Sequence, residues 1–419
     1  MQNAIVVLFF VLTYIGMAAG RLPWLQVDRT GIALIGVILL LVTGASNMDN
    51  LIGSIDPDTL FLLFALMIIS AQFGASGFVD LCVQRLVAVR GGPTILLALT
   101  VAVCGGLSAV LANDILLFGM TPLLIAGVRR RGLDARPFML ALAAAANAGS
   151  AATLIGNPQN IAIGQIGNLS FWTFLGACGV PALVALVAVF GVIWFQWRTR
   201  MDNIEALPPD LPEVPIHPHD RVQSLKGVVA VVALLVCFMT PFRPESGALL
   251  IAALLLASRK VTSRAMIAAV DWPLLLLFGC LFAVTGALRD TDIPFQFIAS
   301  LRSHGLMPDN LAVLTPLTLL MSNTIGNVPS VILILQTWAD APPDVLYGLA
   351  LLSTLAGNFL LVGSLANLIV MERAASFGVR IGFAEHARSG IPITLISMAF
   401  ALFWLAYWGW LPLLPGVAE

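Results

Sequence analysis

Residues 154–164 read LIGNPQNIAIG and lie within a long apolar region. Glycine, asparagine and proline at 156–158 oppose helix continuation, and the amides of Gln159 and Asn160 follow them. Non-helical backbone at membrane depth is tolerated only where protein or a water-filled cavity covers it. The stretch therefore predicts a helix that unwinds to expose backbone and amide groups at a binding site. The alternative is a kink that serves helix packing alone.

The composition places the chain in a membrane. Of its 419 residues, 59% are hydrophobic and only 10% are charged, whereas a water-soluble domain carries about 25% charged residues. We therefore predict an all-α polytopic membrane protein. The net charge of −1 argues against a nucleic-acid partner. Because the chain has no long polar domain, we predict neither an enzyme nor a receptor, and no resident metal or organic cofactor.

Apolar runs define the predicted membrane segments, because a span needs about 20 apolar residues. The runs cover residues 4–20, 31–46, 59–76, 94–128, 138–166, 171–196, 227–242, 247–257, 273–288, 310–337, 345–371 and 390–412. Residues 94–128 and 310–337 are too long for one helix, and each contains a polar break. We interpret these two runs as re-entrant hairpins and the other ten as crossings.

The positions of the basic residues predict the sidedness of these segments. Both flanks of the 94–128 hairpin are basic, which by the positive-inside rule places them in the cytoplasm. The 310–337 hairpin is followed by acids without Lys or Arg, so it enters from outside. In this arrangement both termini lie outside, and only Arg243, Arg289 and Arg302 of the 21 basic residues do so. We predict a plasma-membrane (inner-membrane) location.

The two halves of the sequence carry similar motifs in the same order. Asn113 aligns with Asn327, and residues 156–160 align with 363–367. Together with the opposite sidedness, this order predicts two inverted-topology repeats, each with a re-entrant hairpin and a discontinuous helix. The first repeat covers 1–197 (hairpin 94–128, broken helix 138–166), a cytoplasmic linker covers 198–226, and the second covers 227–419 (hairpin 310–337, broken helix 345–371).

The polar breaks predict a substrate- and ion-binding site between the repeats. Broken helices leave free N–H groups, which favour anions or polar oxygens, and free C=O groups, which favour Na⁺. The predicted site residues are Asn113, Asp114, Asn157, Gln159, Asn160, Asn327, Ser364 and Asn367. No Lys, Arg or His is predicted at this depth, which favours a small neutral polyhydroxy solute over a dianion.

Asp114 is the only acid that we place well inside the membrane. An unpaired intramembrane carboxylate is costly and marks function by default. Burial favours its protonated form, so we predict that Asp114 couples transport to H⁺. Alternatively it holds Na⁺ together with Asn113, or it only caps the outgoing helix of the hairpin. Its counterpart in the second half is Val328, which confines any proton step to the first half.

Five motifs resemble the ion transporter superfamily, and in particular its citrate-transporter-like group. They are NAGS at 147–150, IGNPQN at 155–160, ANDI at 112–115, NVPS at 327–330 and GSLANLI at 363–369. This group includes arsenical pump membrane proteins, Na⁺/H⁺ antiporters and plant silicic-acid exporters. The resemblance implies a secondary transporter whose hairpin tips and broken helices line one site. Related dicarboxylate carriers dimerise, which makes a homodimer an expectation here.

These observations together predict a proton-coupled exporter of a small metalloid oxyacid such as arsenite, with Asp114 as the coupling acid. Two alternatives remain open, namely a Na⁺/H⁺ antiporter and an anion or carboxylate transporter of the same superfamily. The predicted partners are a small-molecule substrate, the lipid bilayer, and H⁺ or Na⁺ as the coupling ion.

Overall fold

The computed structural model describes residues 2–19, 26–201, 217–240 and 243–414, and every regular element in these ranges is helical. The middle of the predicted linker, residues 202–216, lies outside the described residues. The α-helices are α1 (Gln2–Ala19), α2 (Arg29–Val42), α3 (Met48–Gly53), α4 (Pro57–Ala75), α5 (Phe78–Ala88), α6 (Pro93–Ser108), α7 (Asn113–Arg130), α8 (Arg136–Ser150), α9 (Pro158–Ile166), α10 (Phe171–Trp197), α11 (Arg221–Met239), α12 (Pro244–Leu256), α13 (Ser263–Ala268), α14 (Trp272–Arg289), α15 (Ile293–Ser303), α16 (Leu311–Thr324), α17 (Asn327–Thr337), α18 (Pro343–Ala356), α19 (Leu365–Ser376) and α20 (Phe383–Tyr407).

The helices have the length and composition of membrane spans. Within the described ranges, six are long and apolar enough to cross a bilayer, namely α1, α4, α10, α11, α14 and α20. Six shorter apolar helices accompany them: α2, α6, α12, α16, α17 and α18. The predicted all-α, multi-pass class is therefore confirmed. The number of crossings, the sidedness and the inverted repeat stay predictions.

Polar side chains define where several of these helices begin. Asp28 accepts a hydrogen bond from the Gly31 amide at 2.8 Å and caps α2. Asp271 caps α14 in the same way, through the Leu274 amide at 3.0 Å. An N-terminal side chain that accepts from the first free amides stabilises a helix by about 1 kcal/mol. These caps fix the helix starts that surround the central cavity described below.

The two helices α8 and α18 form the centre of the molecule. All of α8 except Arg136 is buried, and α18 is buried from Val345 to Ala356. Small side chains allow this close packing, because a Cβ atom on Gly149 would collide with the Gly105 carbonyl of α6. By contrast, α1 and α11 keep much of their apolar surface exposed, as lipid-facing helices do.

Four helix breaks lie around this centre. Residues 109–112 separate α6 from α7, and residues 325–326 separate α16 from α17. Residues 151–157 separate α8 from α9, and residues 357–364 separate α18 from α19, with a short 3-10 turn at Leu361–Gly363. Since α8 and α18 are the most buried helices, the breaks that follow them lie in the interior of the protein.

Candidate functional site

A cavity of about 790 Å³ lies between the four breaks. Six of the eight predicted site residues line it: Asn113, Asp114, Asn157, Gln159, Asn327 and Ser364. The other two, Asn160 and Asn367, do not line it and are fully buried behind it. The cavity extends to Thr30 and Asp271, which lie at the end of the molecule predicted to be cytoplasmic.

The first broken helix is held by the amides of its own signature. Asn157 caps α9 by accepting from the Asn160 amide N–H at 2.8 Å. The Asn160 side chain donates back to the carbonyls of Ser150 and Thr153 at 3.2 and 3.0 Å. These carbonyls belong to unwound backbone and would otherwise lack partners inside the protein. Asn160 therefore stabilises the break, while Asn157 also faces the cavity.

The second broken helix repeats these bonds at equivalent positions. Ser364 caps α19 by accepting from the Ala366 amide at 3.2 Å. Asn367 donates to the carbonyls of Gly357 and Leu360 at 2.8 and 3.3 Å. Each of these residues is aligned with its counterpart in the first break, at the same sequence offset that aligns residues 156–160 with 363–367. Asn367 thus stabilises the second break as Asn160 does the first.

Each break also forms side-chain hydrogen bonds with the buried helix of the other half. Thr354 of α18 accepts from the side chains of Asn157 and Gln159, both at 3.3 Å. Asn147 of α8 accepts from the Ser364 hydroxyl at 2.8 Å and donates to the Asn367 side chain at 3.1 Å.

Neither Asn147 nor Thr354 is among the predicted site residues, although Asn147 lines the cavity. The sequence offset that aligns the two broken helices also aligns Asn147 with Thr354. This alignment of two polar residues is the signal by which they could have been found.

The backbone at the tip of the first predicted hairpin is bonded to α4, because the Ala112 amide donates to Ser70 Oγ at 2.9 Å. α7 begins at Asn113, its N-cap is Ala112, and no side chain of the described ranges caps it. Asn113 is only 7% exposed, yet its Oδ1 atom has no hydrogen-bond partner in the part of the chain that the structure describes. Asp114 is half-buried, lines the cavity and lies in the first turn of α7, where the helix dipole favours a negative charge. The capping role considered for Asp114 is therefore not the one observed.

At the tip of the second predicted hairpin the asparagine side chain itself is bonded. Gly326 adopts a φ of +98°, which only glycine tolerates without strain, and α17 begins at the next residue. With its amide oriented to suit its neighbours, Asn327 donates to the Gly363 carbonyl at 2.8 Å and to the Ser353 carbonyl at 3.2 Å. The tip of this hairpin is thus attached to the second broken helix.

Charged residues line the cavity beyond the predicted site. The described lining includes four acids, Asp28, Asp114, Asp271 and Glu372, and one base, Arg29. The Arg29 guanidinium donates to the Val362 carbonyl at 3.3 Å, at the second broken helix. The expectation that no basic residue lies at the site is therefore wrong. It failed because Arg29, at the first position of α2, was assigned to a loop.

The acids nevertheless outnumber the base in the described lining. A multiply charged anion would meet net repulsion there, since Coulomb interactions are strong in a partly dry cavity. A neutral hydroxylated solute would find amide and hydroxyl partners instead. The Asn113 Oδ1 atom, which has no partner among the described residues, suits a hard cation, and the Asp114 carboxylate suits a hard cation or a proton.

Comparison with known proteins agrees with this architecture. Residues 7–344 match the family described as citrate transporter. The chain is 28% identical to the silicon efflux transporter LSI3 of Oryza sativa, covering 91% of this chain and 93% of that protein. It is 23% identical to a transporter named arsB from Dictyostelium discoideum, covering 94% of this chain and 89% of that protein.

A solved structure has the same fold. The YdaH transporter of Alcanivorax borkumensis superposes with a TM-score of 0.62, covering 99% of this chain and 100% of that chain at 14% identity. At this identity the likeness concerns the fold alone. The proteins of this group are membrane transporters rather than enzymes.

Proposed function

This chain belongs to the citrate transporter family, and from that premise we propose that it exports a small neutral oxyacid such as arsenite in exchange for protons. The observation that carries the proposal is Asp114, an acid without a hydrogen-bond partner among the described residues, in a cavity where several uncharged amides lie beside it. The acidic excess of the lining supports a neutral solute over a citrate-like anion.

The relatives supply two further supports. One is named a silicon efflux transporter, and another carries the name arsB. Silicic acid and arsenous acid are both small, hydroxylated and uncharged near neutral pH. Both suit a cavity in which Asn147, Asn157 and Gln159 offer amides but no fixed charge.

The proposed cycle uses Asp114 as the proton carrier. When the cavity faces the cytoplasm, Asp114 releases a proton and a neutral oxyacid binds among the amides. After the cavity becomes accessible from outside, Asp114 takes up a proton and the solute leaves. Ser364 and Asn327 line the cavity in the second half, where they form hydrogen bonds within the protein and hold the shape of the site around the solute.

Two other functions remain candidates, each with an observation in its favour. The unpaired oxygen of Asn113 beside Asp114 suits Na⁺, which favours a Na⁺/H⁺ antiporter. The family name and the guanidinium of Arg29 favour an anion carrier. In each case we propose a plasma-membrane protein with the 198–226 linker in the cytoplasm and both termini outside. A homodimer remains an expectation.

The decisive experiment measures proton movement in liposomes that contain the purified protein and a pH-sensitive dye. After a proton gradient is imposed, arsenite, silicic acid, citrate or NaCl is added separately, with protein-free liposomes as the control. We expect dye recovery with arsenite or silicic acid. Recovery with NaCl alone would replace the proposal by cation antiport, and recovery with citrate alone would replace it by anion transport. No recovery with any of the four would reject proton-coupled export of these solutes.

A further inference from the structure

A second cavity, of about 480 Å³, lies at the opposite end of the molecule. Its lining includes Asp58, Asn168, Ser170, Arg243 and Glu245. These residues lie in segments that the positive-inside rule places outside, whereas the central cavity extends to the predicted cytoplasmic end. We call it the outer cavity.

The half-helix α9 runs from one cavity to the other. Its first residues, Pro158 and Gln159, line the central cavity, and Ile161 and Gln165 line the outer cavity. Nine helical residues span about 13 Å. The apolar side chains of Leu62, Leu154 and Ile161 belong to the outer cavity's lining and are buried.

Two polar contacts at the outer cavity connect the two halves of the chain, and a third lies within the second half. Arg243 Nη2 lies 2.6 Å from Asp58 Oδ2, and Arg243 Nε lies 2.6 Å from Glu245 Oε1. Gln165 Nε2 donates to Glu245 Oε2 at 2.8 Å. Glu245 is only 4% exposed, so its charge needs these partners, while 69% of the Arg243 side chain is exposed and open to displacement. One arginine thus connects α4 of the first half with α12 of the second.

We propose that the outer cavity is the external mouth of the transport pathway, and that Arg243 holds it shut. The inference rests on the proposed alternating access. The offset that aligns Asn113 with Asn327 also aligns Arg29 with Arg243, so each mouth has an arginine at the equivalent position. At the inner mouth Arg29 donates to a backbone carbonyl. This mouth is part of the central cavity itself, so it is open to the proposed site. At the outer mouth Arg243 bridges two carboxylates, and no residue of the described lining is shared with the central cavity.

Two reporter cysteines test this proposal without any transported solute. In the full chain with its five native cysteines replaced, Leu62→Cys reports on the outer mouth and Ile369→Cys on the inner cavity. Each is labelled in proteoliposomes with a membrane-impermeant thiol reagent on one side at a time. Arg243→Gln, which removes the ion pairs at similar length, is added to each reporter. The matched control is Arg302→Gln, an exposed arginine of α15 that lines neither cavity.

We expect Arg243→Gln to raise the labelling rate of Leu62→Cys from outside by about 5-fold. The substitution removes a partly exposed ion pair from the state in which the outer mouth is closed, so the open state becomes more populated. Labelling of Ile369→Cys from the inside should fall by a smaller factor. The inward-open state is the more populated of the two, so it loses a smaller fraction of its molecules when the outward-open state gains some. The Arg302→Gln control should change neither rate.

Unchanged labelling at both reporters would overturn the proposal. So would increased labelling at both, which indicates local loosening rather than an exchange of states. Because no solute is present, failure of arsenite export in the liposome assay would leave the result of this test intact.

Discussion

The tips of the two predicted hairpins are aligned in the sequence, but their side chains have different surroundings. At the second tip, Asn327 donates to the carbonyls of Ser353 and Gly363 and ties the hairpin to the broken helix. At the first tip, the Oδ1 atom of Asn113 lacks a hydrogen-bond partner in the described ranges, and Asp114 faces the cavity. The comparison leads us to expect that the Asn327 side chain anchors its tip, whereas the side chains of Asn113 and Asp114 are left for a ligand.

The largest effect that this comparison predicts comes from Asp114→Asn. The substitution keeps the shape of the side chain but removes the group that can carry a proton. We expect solute-driven proton movement in the liposome assay to fall to the level of protein-free liposomes.

The control for that variant is Asp292→Asn, which replaces an exposed acid at the start of α15, away from the described lining of both cavities. It should transport like the unmodified protein. Full proton coupling in Asp114→Asn would show that the free carboxylate at the first tip is not the proton carrier, and the proposed contrast between the tips would fail.

The two glycines of the broken helices predict a smaller, structural effect. A Cβ atom at Gly156 would collide with the backbone of Ser150, which cannot move without disturbing the break. A Cβ atom at Gly363 would meet the Asn323 side chain at 2.5 Å and the Gly357 carbonyl at 3.0 Å. We expect Gly156→Ala to lower the free energy of unfolding by about 3 kcal/mol and Gly363→Ala by less. Denaturant unfolding in detergent measures both, and the reverse order would contradict the tighter packing of the first break.

The smallest predicted effect is a difference between Asn327 and Asn113. Replacing the first should mainly lower stability, and replacing the second should mainly weaken solute binding. Asn327→Ala removes hydrogen bonds to buried carbonyls and should lower the free energy of unfolding by about 1–3 kcal/mol. Asn113→Ala removes no hydrogen bond to a described residue, so we expect a loss below about 1 kcal/mol together with a higher KM for the solute. Equal losses of stability in the two variants would remove the distinction between an anchoring tip and a ligand-exchanging tip.

The sequence was sufficient to predict the class of fold and the places where helices break. Helix-breaking residues such as Pro158 act locally, so they can be recognised without knowledge of the neighbouring helices. Six predicted site residues share one cavity for the same reason, since each lies at or beside a break.

What the sequence did not predict depends on packing between distant segments. Arg29 reaches the second broken helix because α2 packs near it, and no local pattern indicates this. Asn147 and Thr354 interrupt otherwise apolar helices and bond across the two halves. Asn160 and Asn367 were predicted to bind substrate, but the carbonyls that they bond are those of their own breaks.

The absence of a second acid at the hairpin tips has an energetic consequence. Val328 is aligned with Asp114, so the proposed cycle carries its proton on one carboxylate at the hairpin tips, and one proton would enter as one uncharged solute leaves. Such an exchange moves a net positive charge inward and is driven by the membrane voltage as well as by the pH difference. A potential of 100 mV is worth about 2.3 kcal/mol per charge, which alone would sustain a solute gradient of about 50-fold. A cell with a collapsed pH gradient but an intact membrane potential would therefore still be able to expel the solute.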